Sequence, residues 1–215
     1  MNTRLGGIAA LALGAGYLLI IPVFLTVTPE PGGAAAEAWL KYLGGRTTQW
    51  WIILGLSVVT DLLYIPVGLG LYAALRGVNQ SAMLLAITLL ALFVAADLAV
   101  TWPNYAALIR LSSDYTAASD GAQRAALVAA ANYPRAVLGS QLLTVYAIVI
   151  PGVGIGIIGG VMLRGVFNRA TAFVALGTAL FAIASLLGFG ATAIAASVLT
   201  TAWALLVGYR LVRLA

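Results

Sequence analysis

The sequence contains no cysteine and no histidine, and its only lysine is Lys41, which lies in a polar segment. Without cysteine and histidine, the chain cannot form a disulfide, a Cys/His zinc site, a histidine-ligated haem or a Ser-His or Cys-His catalytic pair. No lysine lies in an apolar run, which excludes a Schiff-base lysine of the retinal type. These absences favour a non-enzymatic protein that carries no metal and no other cofactor.

Charged residues are also scarce. They make up 8% of the 215 residues, whereas hydrophobic residues make up 63%. Soluble domains contain about 25% charged residues, so this composition predicts an integral membrane protein. Basic residues exceed acidic ones by 11 to 6. In a membrane protein, basic residues that flank the helices explain such an excess, and we expect no nucleic-acid partner.

Six apolar runs are candidates for helices that cross a bilayer, which takes about 17–25 residues. The runs lie at about 5–27, 50–75, 82–105, 136–162, 171–187 and 191–212. Polar segments between them predict short surface helices at 34–43 and at 120–131, the second of which should end at Pro134. The sequence therefore predicts an all-α fold with a single domain, a six-transmembrane-helix bundle with short surface helices in its outer loops.

Six spans put both chain ends on the same side of the membrane. The loops and ends on that side carry basic residues and no acidic ones: Arg4, Arg76, Arg164, Arg169, Arg210 and Arg213. Basic residues in short loops are typical of the cytoplasmic side. The preference for arginine over lysine and the abundance of alanine and glycine are typical of bacteria with GC-rich genomes. We therefore predict a protein of the bacterial inner membrane, surrounded by the lipid bilayer, with both termini in the cytoplasm.

Two aspartates lie inside apolar runs, Asp61 in the second run and Asp97 in the third. Each lies eighteen residues from Asn79, in the polar turn that joins the runs. If the two runs form an antiparallel helical hairpin, both acids lie at about the same membrane depth. A charge near the bilayer centre costs about 2.5–3.5 kcal/mol on insertion scales, so such residues usually face the bundle interior and have a function.

Several polar residues near the two aspartates complete a candidate site for a ligand or a proton. They are Ser57, Tyr64, Thr101 and Gln141, with Thr144 and Tyr146 in the same half of the fourth run. One interpretation is a proton- or cation-linked site, or a pocket for a small polar or cationic ligand, because two neighbouring acids can share a proton. The alternative is a structural hydrogen-bond cluster in which Arg135 reaches Asp97.

The fourth run is rich in glycine. Gly152, Gly156 and Gly160 form a GxxxGxxxG ridge, a pattern that allows close helix packing. We expect this ridge to pack against another helix of the same chain rather than against a second copy.

The chain also contains an internal similarity. A shift of 88 residues aligns the LRGV sequence at 75–78 with the LRGV sequence at 163–166. This alignment suggests a parallel repeat of the hairpins 50–105 and 136–187, with the two copies related by an axis along the membrane normal. Chance similarity between helices rich in alanine and leucine is the alternative.

Four short motifs resemble a known family. They are GLYAALRGVN at 70–79, DYTAA at 114–118, AQRAA at 122–126 and MLRGVF at 162–167. The chain is similar, over most of its length, to an uncharacterised family of bacterial multi-pass membrane proteins, the domain of unknown function 4386. This resemblance implies a multi-pass bacterial membrane protein, and it implies no activity and no functional residues.

The sequence supports three hypotheses of function. The first is a non-enzymatic membrane module that binds an unknown small ligand or another membrane protein. The second is a small proton- or cation-linked transporter or channel that uses Asp61 and Asp97. The third is an accessory subunit of a larger membrane complex.

Overall fold

The computed structural model describes residues 3–27, 35–188 and 190–214, and these residues are almost entirely helical, with no strand. The α-helices are α1 (Thr3–Val27), α2 (Ala36–Gly44), α3 (Thr47–Ala96), α4 (Trp102–Ala117), α5 (Gly121–Leu138), α6 (Gln141–Thr144), α7 (Ile150–Met162), α8 (Arg169–Ala184) and α9 (Gly190–Arg213). Two π-helical segments, Asp97–Thr101 and Val145–Val149, lead directly into α4 and α7. The predicted all-α class is confirmed.

Five helical stretches of the described chain are long and apolar enough to cross a membrane. They are Thr3–Val27, Thr47–Ala117, Gln141–Met162, Arg169–Leu187 and Gly190–Arg213. Large apolar side chains point outward from them, and Leu5, Leu25 and Leu180 are 64%, 66% and 66% exposed. Several polar side chains lie inside instead. Apolar outer faces around a partly polar interior fit a helical membrane protein.

The polar turn predicted around Asn79 divides α3 into a first arm (47–78) and a second arm (80–96). Asn79 has non-helical backbone angles, φ −156° and ψ 95°, and its side chain accepts a hydrogen bond from the amide of Ala82 at 3.0 Å. This side-chain bond satisfies one of the free amides at the start of the second arm. The arms run antiparallel, because Tyr64 contacts Phe93 while Gly68, further along, lies beside Ile87.

Helix α1 lies between α3 and α9, and glycine allows a close approach on both sides. A Cβ atom added to Gly6 would lie 2.6 Å from Cα of Gly70 in α3. On the other side, a Cβ atom added to Gly208 of α9 would lie 2.8 Å from the backbone nitrogen of Leu11. Because the neighbouring atoms belong to the backbone, larger residues cannot fit unless the helices separate.

The glycine ridge of α7 packs against α8 of the same chain, in a partly different register from the one predicted. Gly152 and Gly156 lie against alanines of α8, but Gly160 is exposed and has no neighbour within 4 Å of a Cβ position. Gly159 takes its place, where an added Cβ atom would lie 2.7 Å from the Cβ atom of Ala175. The straight GxxxGxxxG spacing missed this position because a 3.6-residue turn alternates steps of four and three residues.

Helices α2, α4 and α5 form a cap over the end of α3 that lies opposite Asn79. Its apolar core contains residues of α2, α3, α4 and α5: Trp39, Leu40, Leu43, Trp50, Leu108, Ile109, Ala131 and Leu138. The buried hydroxyl of Ser112 donates to the carbonyl of Leu40 at 2.7 Å, which joins α4 to α2.

The outer surface of the cap carries the i, i+4 pair of α2. Glu37 accepts from Lys41 at 2.7 Å and from the hydroxyl of Tyr115 at 2.9 Å. The hydrogen bond from Lys41, followed by that from Tyr115, lowers the pKa of Glu37 below its ordinary value. All three groups are solvent-accessible, so this pair adds little to stability.

Helix α5 is longer than predicted, and the next long helix begins later. Asp120 caps α5, accepting from the amide of Ala122, but the helix continues through Pro134 to Leu138. Pro134 removes one amide donor, and its ring is buried together with Leu138, so the packing outweighs the lost bond. The chain leaves helical geometry at 139–140, and the apolar helix predicted from residue 136 starts at Gln141.

We predict that Gly70→Ala and Gly6→Ala each lower the melting temperature of the purified protein in detergent. Overpacking of a close contact costs about 1–3 kcal/mol, and here the atoms that would have to move are backbone atoms. The matched control is Gly55→Ala in the same helix α3, because Gly55 has no neighbour within 4 Å of its Cβ position. Alanine should stabilise that site by up to about 1 kcal/mol through helix propensity. Equal melting temperatures for the three variants would contradict the close approach of α1 and α3.

Candidate functional site

Two prolines explain where the helices widen into π-helical segments. Pro103 and Pro151 lie at the second residues of α4 and α7, directly after the two segments. Proline has no amide hydrogen, so the usual bond to the carbonyl four residues earlier is missing in both places. The amide of the residue before each proline donates to the carbonyl five residues earlier rather than four. In the first segment, the amide of Trp102 donates to the carbonyl of Asp97. Single π turns inside α-helices are often found at functional sites.

Asp61 and Asp97 meet at the first of these π turns. Asp61 lies in the first arm of α3, Asp97 opens the π segment, and the two carboxyl groups are within hydrogen-bonding contact of each other. Both residues are buried, with 3% and 4% of their surface exposed. The register of the hairpin, counted from Asn79, therefore brings both acids to one point inside the bundle.

Each carboxyl group also accepts a hydrogen bond from a neutral donor. The indole nitrogen of Trp102 donates to Oδ2 of Asp61 at 2.6 Å. The hydroxyl of Thr101 donates to Oδ1 of Asp97. These two bonds fix the orientation of the carboxyl groups, but neither donor carries a charge that could balance a carboxylate.

The cluster extends from the first π segment to the second. The hydroxyls of Thr101 and Tyr146 lie 3.1 Å apart, and both residues are buried. Tyr146 is the second residue of the segment Val145–Val149. A continuous series of polar groups therefore runs from Asp61 through Asp97 and Thr101 to Tyr146.

A second hydroxyl pair lies one helical turn from the acids. Tyr64 follows Asp61 by three residues, and its hydroxyl lies 3.0 Å from that of Tyr17 in α1. Ser57, one turn before Asp61, is buried, and its carbonyl accepts a hydrogen bond from Thr60 at 2.9 Å. Asp61 is thus linked to α4 through Trp102, and Tyr64 is linked to α1 through Tyr17.

Gln141 does not belong to the buried cluster. Its side chain is exposed at the first residue of α6, where the chain has just left helical geometry at Ser140. The polar contribution of this part of the chain comes instead from Tyr146, five residues further on, at the π turn. The sequence predicted Gln141 and Tyr146 in the same half of one helix that begins at residue 136. Because the helix begins only at Gln141, this residue lies at its first position, away from the buried cluster.

No cation balances the acids within the described part of the chain. The salt bridges found there join Lys41 to Glu37 and Arg110 to Asp114. The side chains that bond to Asp97 are Thr101 and Asp61, so Arg135 does not play the part that the structural alternative gave it. Among the same described residues there is also no group of three or more His, Cys, Asp or Glu side chains that could hold a metal.

An aromatic stack, formed by Trp102, Tyr105 and Trp50, closes the site on the side of the cap. The ring of Trp102 stacks on Tyr105 at 5.9 Å, and Tyr105 stacks on Trp50 at 5.0 Å. Trp102 therefore has two contacts at once, a hydrogen bond to Asp61 and a place in the stack. The acids are separated from the core of the cap by this aromatic layer.

Sequence reasoning missed Trp102 and Tyr17 as members of the site. Trp102 follows Asp97 by five residues, which is not a same-face spacing in an α-helix and becomes one only in the wider π turn. The proline at 103 is the signal that could have indicated this turn. Tyr17 lies in an entirely apolar stretch of α1, and no pattern in that stretch indicates which side faces the acids.

A cavity of about 80 Å³ lies on the other side of Tyr64, between α1, α3, α7, α8 and α9. The lining is mostly apolar, and five of its residues carry hydroxyls: Tyr17, Tyr64, Thr178, Ser197 and Thr200. One water molecule needs roughly 10–15 Å³ of such space, whereas pockets for drug-sized ligands measure roughly 300–1,000 Å³. The cavity therefore has room for a few water molecules and not for a large organic ligand.

Comparison with known protein families, with curated proteins and with solved structures finds no match to this chain. The resemblance to the domain of unknown function 4386 thus stays a prediction. What the protein does has to be argued from the geometry of its own residues.

We predict that replacing both acids by asparagine, D61N/D97N, leaves the melting temperature in detergent unchanged or raises it. Asparagine keeps an oxygen that accepts from Trp102 and Thr101, and it removes two carboxyl groups from an apolar interior. The double alanine variant D61A/D97A should melt lower, because an unsatisfied buried donor costs about 1–3 kcal/mol.

The comparison of the two double variants separates the functional interpretation from the structural one. A melting temperature of D61N/D97N well below that of the wild type would mean that the carboxyl groups themselves hold the bundle together.

Proposed function

We propose that the protein binds and releases a proton or a small cation at the pair Asp61 and Asp97, and that it acts as a small proton- or cation-linked transporter or channel. The observation that carries this proposal is the direct contact of two buried carboxyl groups that have no cationic partner in the described chain.

The physical reason is the cost of two like charges in an apolar interior. Two carboxylates in contact repel each other strongly where water does not screen them, so the pair is stable only when it holds a positive charge. Among the described residues no arginine or lysine forms a salt bridge with the pair, and Trp102 and Thr101 donate only neutral hydrogen bonds. A proton or a cation from solution is the remaining source of that charge.

The size of the neighbouring cavity favours a proton or a small ion over an organic ligand. The cavity of about 80 Å³ next to Tyr64 accommodates a few waters. Acidic residues inside membrane segments commonly line ion pathways or proton relays. A proton-linked or cation-linked protein is therefore preferred here to a module that binds a larger ligand.

The surrounding architecture that we propose is a bundle of six transmembrane helices in the bacterial inner membrane, with both termini in the cytoplasm. The break at Asn79 and the antiparallel contacts between the arms support counting the stretch Thr47–Ala117 as two spans. The arginine-rich ends and turns then lie on the cytoplasmic side.

A parallel repeat is part of the same proposal. An asparagine side chain caps the next helix shortly after each LRGV sequence, one residue later in the second copy: Asn79 accepts from the amide of Ala82, and Asn168 accepts from that of Thr171 at 2.8 Å. In both cases the amide belongs to the third residue after the asparagine. Membership in the domain of unknown function 4386 would agree with this multi-pass arrangement.

We predict that the wild-type protein in liposomes carries protons or monovalent cations when a membrane potential is applied, and that D61N/D97N lowers this flux at least tenfold. Asparagine cannot take up a proton or balance a cation, while it keeps the shape of the site. Proton entry is measured with a pH-sensitive dye inside the liposomes, and Na⁺ or K⁺ entry with ion-selective dyes in parallel samples.

The matched control is Asp114→Asn, which removes a carboxylate at the protein surface, outside the cluster. This variant should conduct like the wild type. Wild-type flux no greater than that of empty liposomes, or full flux through D61N/D97N, would contradict the proposal and favour the hypothesis of a binding module or an accessory subunit.

A further inference from the structure

We propose that the cavity beside Tyr64 holds water, and that the hydroxyl pair Tyr17 and Tyr64 connects this water to Asp61 and Asp97 as the path by which protons reach the acids. This inference rests on the proposed function and names the proton as the ion that it handles. It assigns a role to two residues and a cavity that the acid pair alone does not explain.

The lining of the cavity can bind water. The hydroxyls of Thr178 and Thr200 both donate to a carbonyl of their own helix four residues earlier, at 3.0 Å and 2.9 Å. Both residues are buried and line the cavity, and each hydroxyl oxygen still has lone pairs that can accept a hydrogen bond from water. A polar cavity of about 80 Å³ meets the requirements of space and of polar partners for a few ordered waters.

The tyrosine pair belongs to the wall of this cavity. Both residues line the cavity, and their hydroxyls lie 3.0 Å apart. One hydroxyl donates this bond, so the other keeps its own hydrogen for a further partner. Tyr64 lies three residues after Asp61 on the same side of the helix, and its hydroxyl bonds to that of Tyr17.

The opposite side of the acid pair offers no comparable route. The indole of Trp102 bonds to Asp61 and stacks on Tyr105, and beyond that stack lies the apolar core of the cap. Proton transfer needs a series of hydrogen-bonding groups, which the apolar core of the cap lacks. The cavity side therefore offers hydroxyls that the core of the cap does not.

The titratable groups around the acids can be named for each neighbouring element. Tyr64 of α3 lies one turn from Asp61, Tyr17 of α1 bonds to Tyr64, and Tyr146 of the second π segment reaches Asp97 through Thr101. Tyrosine hydroxyls relay a proton by accepting one hydrogen while they donate another, so no group changes its charge permanently. The net step moves a proton from cavity water to a carboxylate oxygen of the pair.

The experiment compares Tyr64→Phe and Tyr17→Phe with the wild type in two measurements on the full-length protein. The first is proton flux into liposomes. The second is a pH titration of the acid pair, monitored by the fluorescence of Trp102. The emission of this residue is identified as the part that is lost in Trp102→Phe. We expect each variant to lower proton flux at least tenfold, because phenylalanine keeps the ring and removes the hydroxyl, while the midpoint of the titration changes little.

The control for the hydroxyl is Tyr133→Phe, because Tyr133 is 73% exposed on α5, and this variant should behave like the wild type. A second variant, Ala196→Leu, fills the cavity without removing a hydroxyl and should also lower proton flux. Its own control is Ala191→Leu at an exposed position of the same helix α9.

The outcomes separate this inference from the proposed function. Unchanged proton flux in both tyrosine variants, with flux lost in D61N/D97N, overturns the water path and leaves the acid site standing. A titration that is lost or strongly shifted in the tyrosine variants also overturns it, because the tyrosines then act on the acids rather than on the path. Wild-type flux of Na⁺ or K⁺ without protons overturns it as well. Absence of any wild-type flux removes the proposed function and the path together.

Discussion

The contact between Asp61 and Asp97 is the constraint around which the polar interior of the bundle is arranged. It requires two helices to meet at one depth inside an apolar bundle, and the turn at Asn79 sets that depth by the length of the chain on either side. Neutral donors orient both carboxyl groups without balancing their charge. The free energy of the site therefore depends on what the pair binds, whereas the surrounding helices pack by contacts that do not change with solution conditions.

Two different kinds of helix meet around this contact. Helix α1 lies against α3 and α9 through glycines whose backbones nearly touch, an arrangement that leaves little freedom for those helices to move. The segments Asp97–Thr101 and Val145–Val149 are π turns, each followed by a proline, and they have fewer regular hydrogen bonds. The acid pair thus lies where a rigid part of the bundle meets a part whose backbone bonds are already rearranged. Such a junction is where a change of charge can alter helix geometry at low cost.

The sequence was sufficient for features that follow from counting and composition. The helical class follows from the apolar runs, and the equal depth of the two acids was expected from their equal distance to Asn79. Features that depend on helix rotation could not be predicted. Trp102 reaches Asp61 only because a π turn shifts the register, and Gly159 replaces Gly160 because one residue of rotation separates the buried face from the exposed one. In both cases the relevant property belongs to the packed pair of helices rather than to either segment.

The chemistry around the acids indicates why two carboxyl groups are present where amides would serve a purely structural purpose. A buried asparagine pair can accept from Trp102 and Thr101 as well as aspartate does, and it avoids the cost of charge in an apolar interior. Aspartate adds one property to this arrangement, the ability to take up and release a positive charge. A bundle that retains two carboxyl groups here is less stable than one with amides in their place. Functional sites commonly lower the stability of the fold that holds them in this way. Tyr64 and Tyr17 line a cavity that also contains threonines, and through their hydroxyls we propose a route for the exchanged proton. The core of the cap, beyond the stack of Trp102 and Tyr105, is apolar and offers no such groups.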